Sequence, residues 1–94
     1  MNTQREVLAV FTHAVKDYAA WRKVFDASAP LREKMGVIGA EVFQDPKDPN
    51  KVIVVDRYPD MGTMEKFLAN PDLKDAMTKA GVMSPPTVLI GVAT

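Results

Sequence analysis

The stretch Lys51-Val52-Ile53-Val54-Val55-Asp56-Arg57-Tyr58 constrains this chain more than any other. Strand side chains alternate, so Val52, Val54, Asp56 and Tyr58 point one way and Ile53, Val55 and Arg57 the other. Both sets are largely apolar, and a strand that is apolar on two faces needs cover on two faces. Residues 6–13 repeat the pattern, with Val7, Ala9, Phe11 and His13 set against Leu8, Val10 and Thr12. They read as a second buried strand with His13 at its exit.

Between these strands the period changes. Tyr18, Trp21, Val24, Phe25, Ser28, Leu31 and Met35 recur at helical spacing. Asp17 precedes them and its carboxylate can accept from the free amides of the first turn. Pro30 has no amide to donate and its ring crowds the turn before it, which predicts a kink or break at residues 26–29. Gly36 suits the left-handed stop that follows. Residues 37–44 return as a strand made more polar by Glu41 and Gln44, as an edge strand is. The turn formers of Asp45-Pro46-Lys47-Asp48-Pro49-Asn50 join it to the 51–58 strand as a hairpin. Asp60 caps a second helix with Met64, Phe67 and Leu68 inward. Asn70-Pro71 breaks and restarts it, Leu73, Ala76, Met77 and Ala80 extend its apolar stripe, and Gly81 ends it. Pro85-Pro86 forces an extended entry into the last strand, residues 87–93.

The order strand, helix, strand, strand, helix, strand is that of the ferredoxin-like α+β fold, an antiparallel four-stranded sheet with both helices on one face. At 94 residues the expectation is a single domain spanning 1–94. Two helices cover one face only, whereas the first, third and last strands are apolar on both. The bare face would expose roughly a few hundred Å² of apolar surface, more than monomers usually leave open. A homodimer pairing sheet against sheet is therefore expected.

Composition narrows the chemistry. Lys and Arg number 12 and Asp and Glu 12, so no net charge draws the chain to nucleic acid or to an anionic membrane surface. There is no cysteine, which excludes disulfides, a thiol nucleophile and a zinc–thiolate centre. No apolar run approaches the ~20 residues of a bilayer span. The first six residues are polar and run straight into a strand without a visible secretory signal. A cytoplasmic protein with no nucleic-acid or membrane partner is the expectation.

Several segments resemble a known family. They are Asp17-Tyr18-Ala19-Ala20-Trp21, Phe25-Asp26, Ala29-Pro30-Leu31-Arg32 and Gly36-Val37. Asp45-Pro46 with Asp48-Pro49-Asn50, Phe67-Leu68, Asn70-Pro71-Asp72-Leu73 and Ala80-Gly81-Val82 extend the likeness over nearly the whole chain. The pattern is similar to small bacterial domains of the dimeric α+β barrel superfamily, of the antibiotic-biosynthesis monooxygenase and cyclase-like kind. The resemblance implies two sheets paired into a barrel, with ligands held between each sheet and its helices. It also implies a range of activities: cofactor-free monooxygenation of polycyclic phenols, haem degradation and small-molecule isomerisation. The haem-degrading relatives ligate iron through a histidine late in the second helix, where this chain has Met77-Thr78-Lys79-Ala80. No cofactor is therefore expected.

Few residues stand out as carriers of chemistry. His13 is the one histidine, and its ordinary titration lies near neutrality. It reads either as a catalytic base or hydrogen-bond partner at a strand end, or as a polar residue closing that strand. It has no second histidine or thiolate at ligand spacing, so no metal site is expected. Arg57 reads as a catalytic-site cation for a carboxylate or phenolate, or as one half of a salt bridge at the dimer seam. Asp56 and Arg57 are adjacent and so face opposite ways, one toward the helices and one toward the seam. Tyr18, Trp21 and Phe25 form an aromatic stripe that reads as the ligand-binding floor of a pocket or as plain core. The expected function is cofactor-independent monooxygenase or cyclase-like chemistry on a small hydrophobic, aromatic or ketone-bearing molecule. The alternative is a non-catalytic ligand-binding or interaction module.

Overall fold

Two central strands carry the architecture of the computed structural model, which describes residues 5–83 and 85–94. β1 (Val7–Ala14) lies antiparallel to β3 (Lys51–Tyr58) along its whole length, with Val7 opposite Tyr58 and Ala14 opposite Lys51. β2 (Gly39–Gln44) pairs with the free edge of β3, and β4 (Thr87–Val92) with the free edge of β1. The sheet order is β2-β3-β1-β4, all antiparallel. This is the α+β, ferredoxin-like arrangement the pattern predicts. The polar segment read for a missing secretory signal falls largely on residues 1–4, outside the described residues.

Alternation on β1 and β3 decides where the core sits. Val7, Ala9, Phe11 and His13 are buried on β1, as are Val52, Val54, Asp56 and Tyr58 on β3, all on one face. Trp21, Met64 and Phe67 pack down on that face from the helices. Burying Val7 and Val52 completely stabilises the fold by roughly 1.5–3 kcal/mol each.

Both helical regions are split, giving α1 (Tyr18–Ala27) and α2 (Ala29–Lys34), then α3 (Met61–Leu68) and α4 (Pro71–Lys79). The first break comes where Pro30 predicts it. Ser28 ends α1, begins α2 and returns its hydroxyl to the Val24 carbonyl at 2.8 Å. The second comes at Asn70-Pro71, where the Asn70 side chain accepts from the Asp72 amide at 2.8 Å. Asp17 and Asp60 cap α1 and α3 by accepting from Ala20 and Thr63 amides at 2.9 and 2.7 Å. Gly36 takes φ +87°, a left-handed backbone that a side chain would strain. The second strand begins at Gly39 rather than residue 37, although the Ile38 amide still donates to the Arg57 carbonyl at 2.9 Å. The last strand ends one residue early, at Val92.

The other face of the sheet also carries apolar residues, as the sequence requires. Leu8, Val10, Ile53 and Val55 are half-buried there, and Phe43 and Leu89 are 51% and 71% exposed. The helices also leave β4 bare on their own side. Val88 and Ile90 share that face with Phe11 and Ala9, yet both are exposed.

The caps supply a direct check on how these helices start. Asp60→Ala removes the acceptor of the Thr63 amide and is expected to lower stability by about 1 kcal/mol in urea titration. A loss well under that would mean the α3 amide finds water as readily as the carboxylate.

Candidate functional site

The helix breaks turn a covering layer into a pocket. A cavity of about 390 Å³ opens between the helical layer and the sheet, lined by residues of α1, α2, α3, α4, β1 and β3. Phe11 and Val54 lie beneath it, Trp21, Phe25 and Phe67 wall it, and Pro86 and Val88 rim it at the β4 side. Its polar groups are few: His13 from β1, Asp56 from β3, Ser28 and Arg32 around the first break, and Lys74 from α4. A pocket of this kind, apolar with a handful of placed polar groups, is the usual form of a small-molecule site.

His13 sits at the end of β1, held by what surrounds its exit. The Asn50 carbonyl accepts from the Val15 amide at 2.8 Å, and the Asn50 side chain accepts from the Tyr18 amide at 2.9 Å. The β2–β3 loop is thereby docked onto the start of α1. The Lys16 amide donates to the Gly81 carbonyl at 2.9 Å and ties in the end of α4. The imidazole lies 5.8 Å from the Trp21 ring and is buried, and neither ring nitrogen has a hydrogen-bond partner among the described residues. Burial disfavours its charged form and pushes its pKa below the usual 6.5.

Asp56 is the second buried titratable group, 4% exposed. The Tyr58 hydroxyl donates to its Oδ2 at 3.0 Å, while its Oδ1 is buried without a hydrogen-bond partner among the described residues. Burial raises its pKa, opposed by the Tyr58 hydrogen bond and by the charge of Arg32. Burial and the neighbouring carboxylate push the Tyr58 phenol far up, so it stays protonated. Arg32 donates to the Phe25 carbonyl at 2.8 Å and lays its guanidinium 3.8 Å from the Phe25 ring centroid. His13 is opposite Val52 in the β1–β3 register, four positions from Asp56, which is about 13 Å along the strand. The two groups therefore mark opposite ends of an apolar floor.

Of the residues singled out from sequence, His13, Trp21 and Phe25 meet at this cavity. Trp21 and Phe25 stack with centroids 5.0 Å apart. Two placements are corrected. Tyr18 is not among the residues lining the cavity; its ring centroid lies 6.0 Å from that of Trp21, and its backbone amide donates to the Asn50 side chain. Arg57 is on the far face of the sheet, half-exposed, with Glu6 at 3.7 Å and Glu41 at 3.6 Å. Alternation along β3 turns it away from His13, so the two do not share a pocket. Asp56 and Arg32 are site residues that the sequence reading did not select. Strand parity with Val52 and Val54 signals Asp56. Nothing signals Arg32, whose direction depends on how the chain re-enters helix after Ser28.

A family model described as antibiotic biosynthesis monooxygenase matches residues 5–79. Among solved structures, a Bordetella bronchiseptica protein of that same family name superposes with a TM-score of 0.82 at 15% identity, over 97% of this chain and 99% of that one. A Caulobacter crescentus protein, likewise named, gives 0.80 at 18% identity over 97% and 92%. SnoaB, a cofactor-independent oxygenase from Streptomyces nogalater, gives 0.73 at 20% identity over 96% and 92%. At such identities the likeness is one of fold. No curated protein matches the sequence.

The burial of His13 has a measurable consequence. As the chain's one histidine, its ring proton can be followed alone by NMR, and its titration midpoint is expected below 6.5. Between that midpoint and 6.5 the unfolded chain binds more protons than the folded one, so stability falls as pH drops through this window. His13→Phe should remove that part of the loss in denaturant titrations at successive pH values. An acid slope identical to wild type would mean the imidazole protonates freely in the folded state.

Proposed function

The chain belongs to the antibiotic biosynthesis monooxygenase family, and we propose that it is a small-molecule enzyme of the monooxygenase type. Its substrate would be a small, flat, hydrophobic molecule, aromatic or ketone-bearing, oxidised without a resident cofactor. One observation carries this reading. A cavity of about 390 Å³ with aromatic walls is lined by His13, whose two ring nitrogens are buried and meet no hydrogen-bond partner among the described residues. A buried polar side chain without a partner costs about 1–3 kcal/mol, and a ligand hydrogen bond would offset that. In this reading His13, neutral at pH 7, accepts or polarises a substrate proton. Trp21 and Phe25 hold the ring plane, and Tyr18 supports Trp21 from behind.

The reading includes a homodimer. The free sheet face, with Phe43 and Leu89 exposed and Leu8, Val10, Ile53 and Val55 half-covered, would meet a second copy of itself. Arg57, Glu6 and Glu41 stand on that face and would lie at the seam. Among the described residues no helix is long and apolar enough to cross a membrane.

Two measurements test these statements. Trp21 is the only tryptophan, so its fluorescence reports occupancy of the cavity directly. Bicyclic and tricyclic phenols and ketones are expected to quench it, and some to support oxygen uptake with no added flavin or metal. His13→Phe should lower that uptake by roughly 10²-fold or more while quenching persists. Quenching without oxygen uptake across the panel would make this a binding module and not an enzyme. Separately, sedimentation should give a dimer at micromolar concentration that Leu89→Glu with Phe43→Glu converts to monomer. A wild-type monomer would remove the sheet-to-sheet assembly.

A further inference from the structure

Arg32 is a cation set into an apolar wall. It lies on α2 just after the first helix break, is half-buried and lines the cavity. Its Nη1 donates to the Phe25 carbonyl at 2.8 Å, and its guanidinium carbon sits 3.8 Å from the Phe25 ring centroid. Those contacts are its structural task. They hold the end of α1 and cover one face of the guanidinium. They leave Nε and Nη2 without a hydrogen-bond partner among the described residues, and both atoms retain accessible surface.

No carboxylate lies within 4.0 Å of Arg32 among the described residues. Burial weighs against its charge, Asp56 and Asp26 sustain it from a distance, and Arg22 opposes it. Neither acid is free to close on it. Asp26 is paired with Arg22 at 3.0 Å, and Asp56 gives Oδ2 to the Tyr58 hydroxyl while its Oδ1 is buried. A second cation, the exposed Lys74, lines the cavity from α4, and it has no ion pair among the described residues either. The charged side chains of the cavity are thus Arg32, Lys74 and Asp56, two cations against one carboxylate.

We propose that the cavity binds a flat aromatic carboxylate and that Arg32 is the residue that selects for its negative charge. The inference rests on the cavity being the ligand site, and it deepens that reading by adding an anionic group to the molecule the site takes. Trp21 stacks on Phe25 with centroids 5.0 Å apart, and Phe25 in turn carries the guanidinium. A ring system lying along this wall brings a carboxylate attached to it to the open edge of Arg32. The arginine fork matches both oxygens of a carboxylate, which an ammonium does not. Phe25 already orients the guanidinium, so little side-chain freedom is left to lose on binding. The incoming charge also brings the cavity to two cations against two anions, which favours an acid over an uncharged ring of the same shape. The anion-binding role that the sequence pattern offers to Arg57 thereby passes to Arg32, since Arg57 lies on the other face of the sheet beside Glu6 and Glu41.

The test compares 2-naphthoate with 2-naphthamide, which share a shape and differ in charge, by isothermal titration calorimetry at neutral pH and low salt. Wild type is expected to bind the acid roughly 10- to 100-fold more tightly than the amide. Added salt should weaken the acid and leave the amide unchanged. Arg32→Gln should erase the preference by weakening the acid alone, and Arg32→Lys, which keeps the charge without the fork, should restore part of it. In nitrogen–proton NMR the Arg32 Nε–H signal should move further with the acid than with the amide. Should both variants fail to fold, the acid–amide ratio, its salt dependence and this signal decide the matter in wild type. A purely structural Arg32 would weaken both ligands equally when replaced, which would overturn its selecting role. A preference that survives Arg32→Gln and disappears in Lys74→Gln overturns the assignment to Arg32. Equal binding of acid and amide by wild type overturns selection for an anion and leaves the cavity standing as a site for uncharged rings. Binding of neither overturns this inference, and it removes the cavity as a ligand site only if phenols and ketones also fail to bind.

Discussion

The pairing of β1 with β3 is the constraint on which the rest of this structure depends. Eight residues of each strand meet in continuous register, from Val7 opposite Tyr58 to Ala14 opposite Lys51. A slip of one residue would turn Asp56 and His13 out of the core and bring Arg57 and Thr12 in, so the register is specified by the burial of that one face. Both edge strands take their positions from this pair. The helices settle on the face where alternation has gathered Val7, Phe11, Val52, Val54 and Tyr58.

That face is apolar except at two points, and the exceptions have a common physics. His13 and Asp56 are both deprived of water, which lowers the pKa of one and raises that of the other. Burial thus acts against charge on each and brings their titrations toward each other. Among the described residues neither has a counter-ion contact, and each lines the same cavity from a different strand. Two such groups about 13 Å apart along an apolar floor favour an extended flat ligand with polar atoms at its ends over a compact polar one. The positive charge of Arg32 is fixed by Phe25 on the wall near Asp56, so the cavity has an electrostatic direction as well as a shape.

The two breaks in the helical layer belong to the same design. Ser28-Ala29-Pro30 and Asn70-Pro71 each interrupt a helix that would otherwise lie flat on the sheet. Trp21, Met64 and Phe67 still reach the core from these pieces, while residues on both sides of each break line the cavity. The core is thin. Its fully buried large side chains are Tyr58, Val7 and Val52, and the apolar surface it leaves uncovered on the other side of the sheet is extensive. That surface is the one the proposed second copy would cover.

Local chemistry was enough to determine the elements. Period-two runs, caps at Asp17, Asp60 and Asn70, the proline breaks and the left-handed Gly36 all act within a few residues, so the order of strands and helices and the ferredoxin-like topology were readable from sequence. Parity along a strand is equally local, and it separated Asp56 from Arg57 before any coordinates. What parity leaves open is which face the helices cover. Sheet packing alone decided that Asp56 would be the buried one and that Arg57 would turn to Glu6 and Glu41. Tyr18 and Trp21 share a helical stripe, yet of the two it is Trp21 that lines the cavity. Arg32 reached the site because the phase of α2 is reset after Ser28, a change of direction that helical spacing does not encode. The sequence by itself thus determined the elements and their order, whereas only tertiary packing decided which polar groups lost their water, because desolvation depends on neighbours distant in the chain.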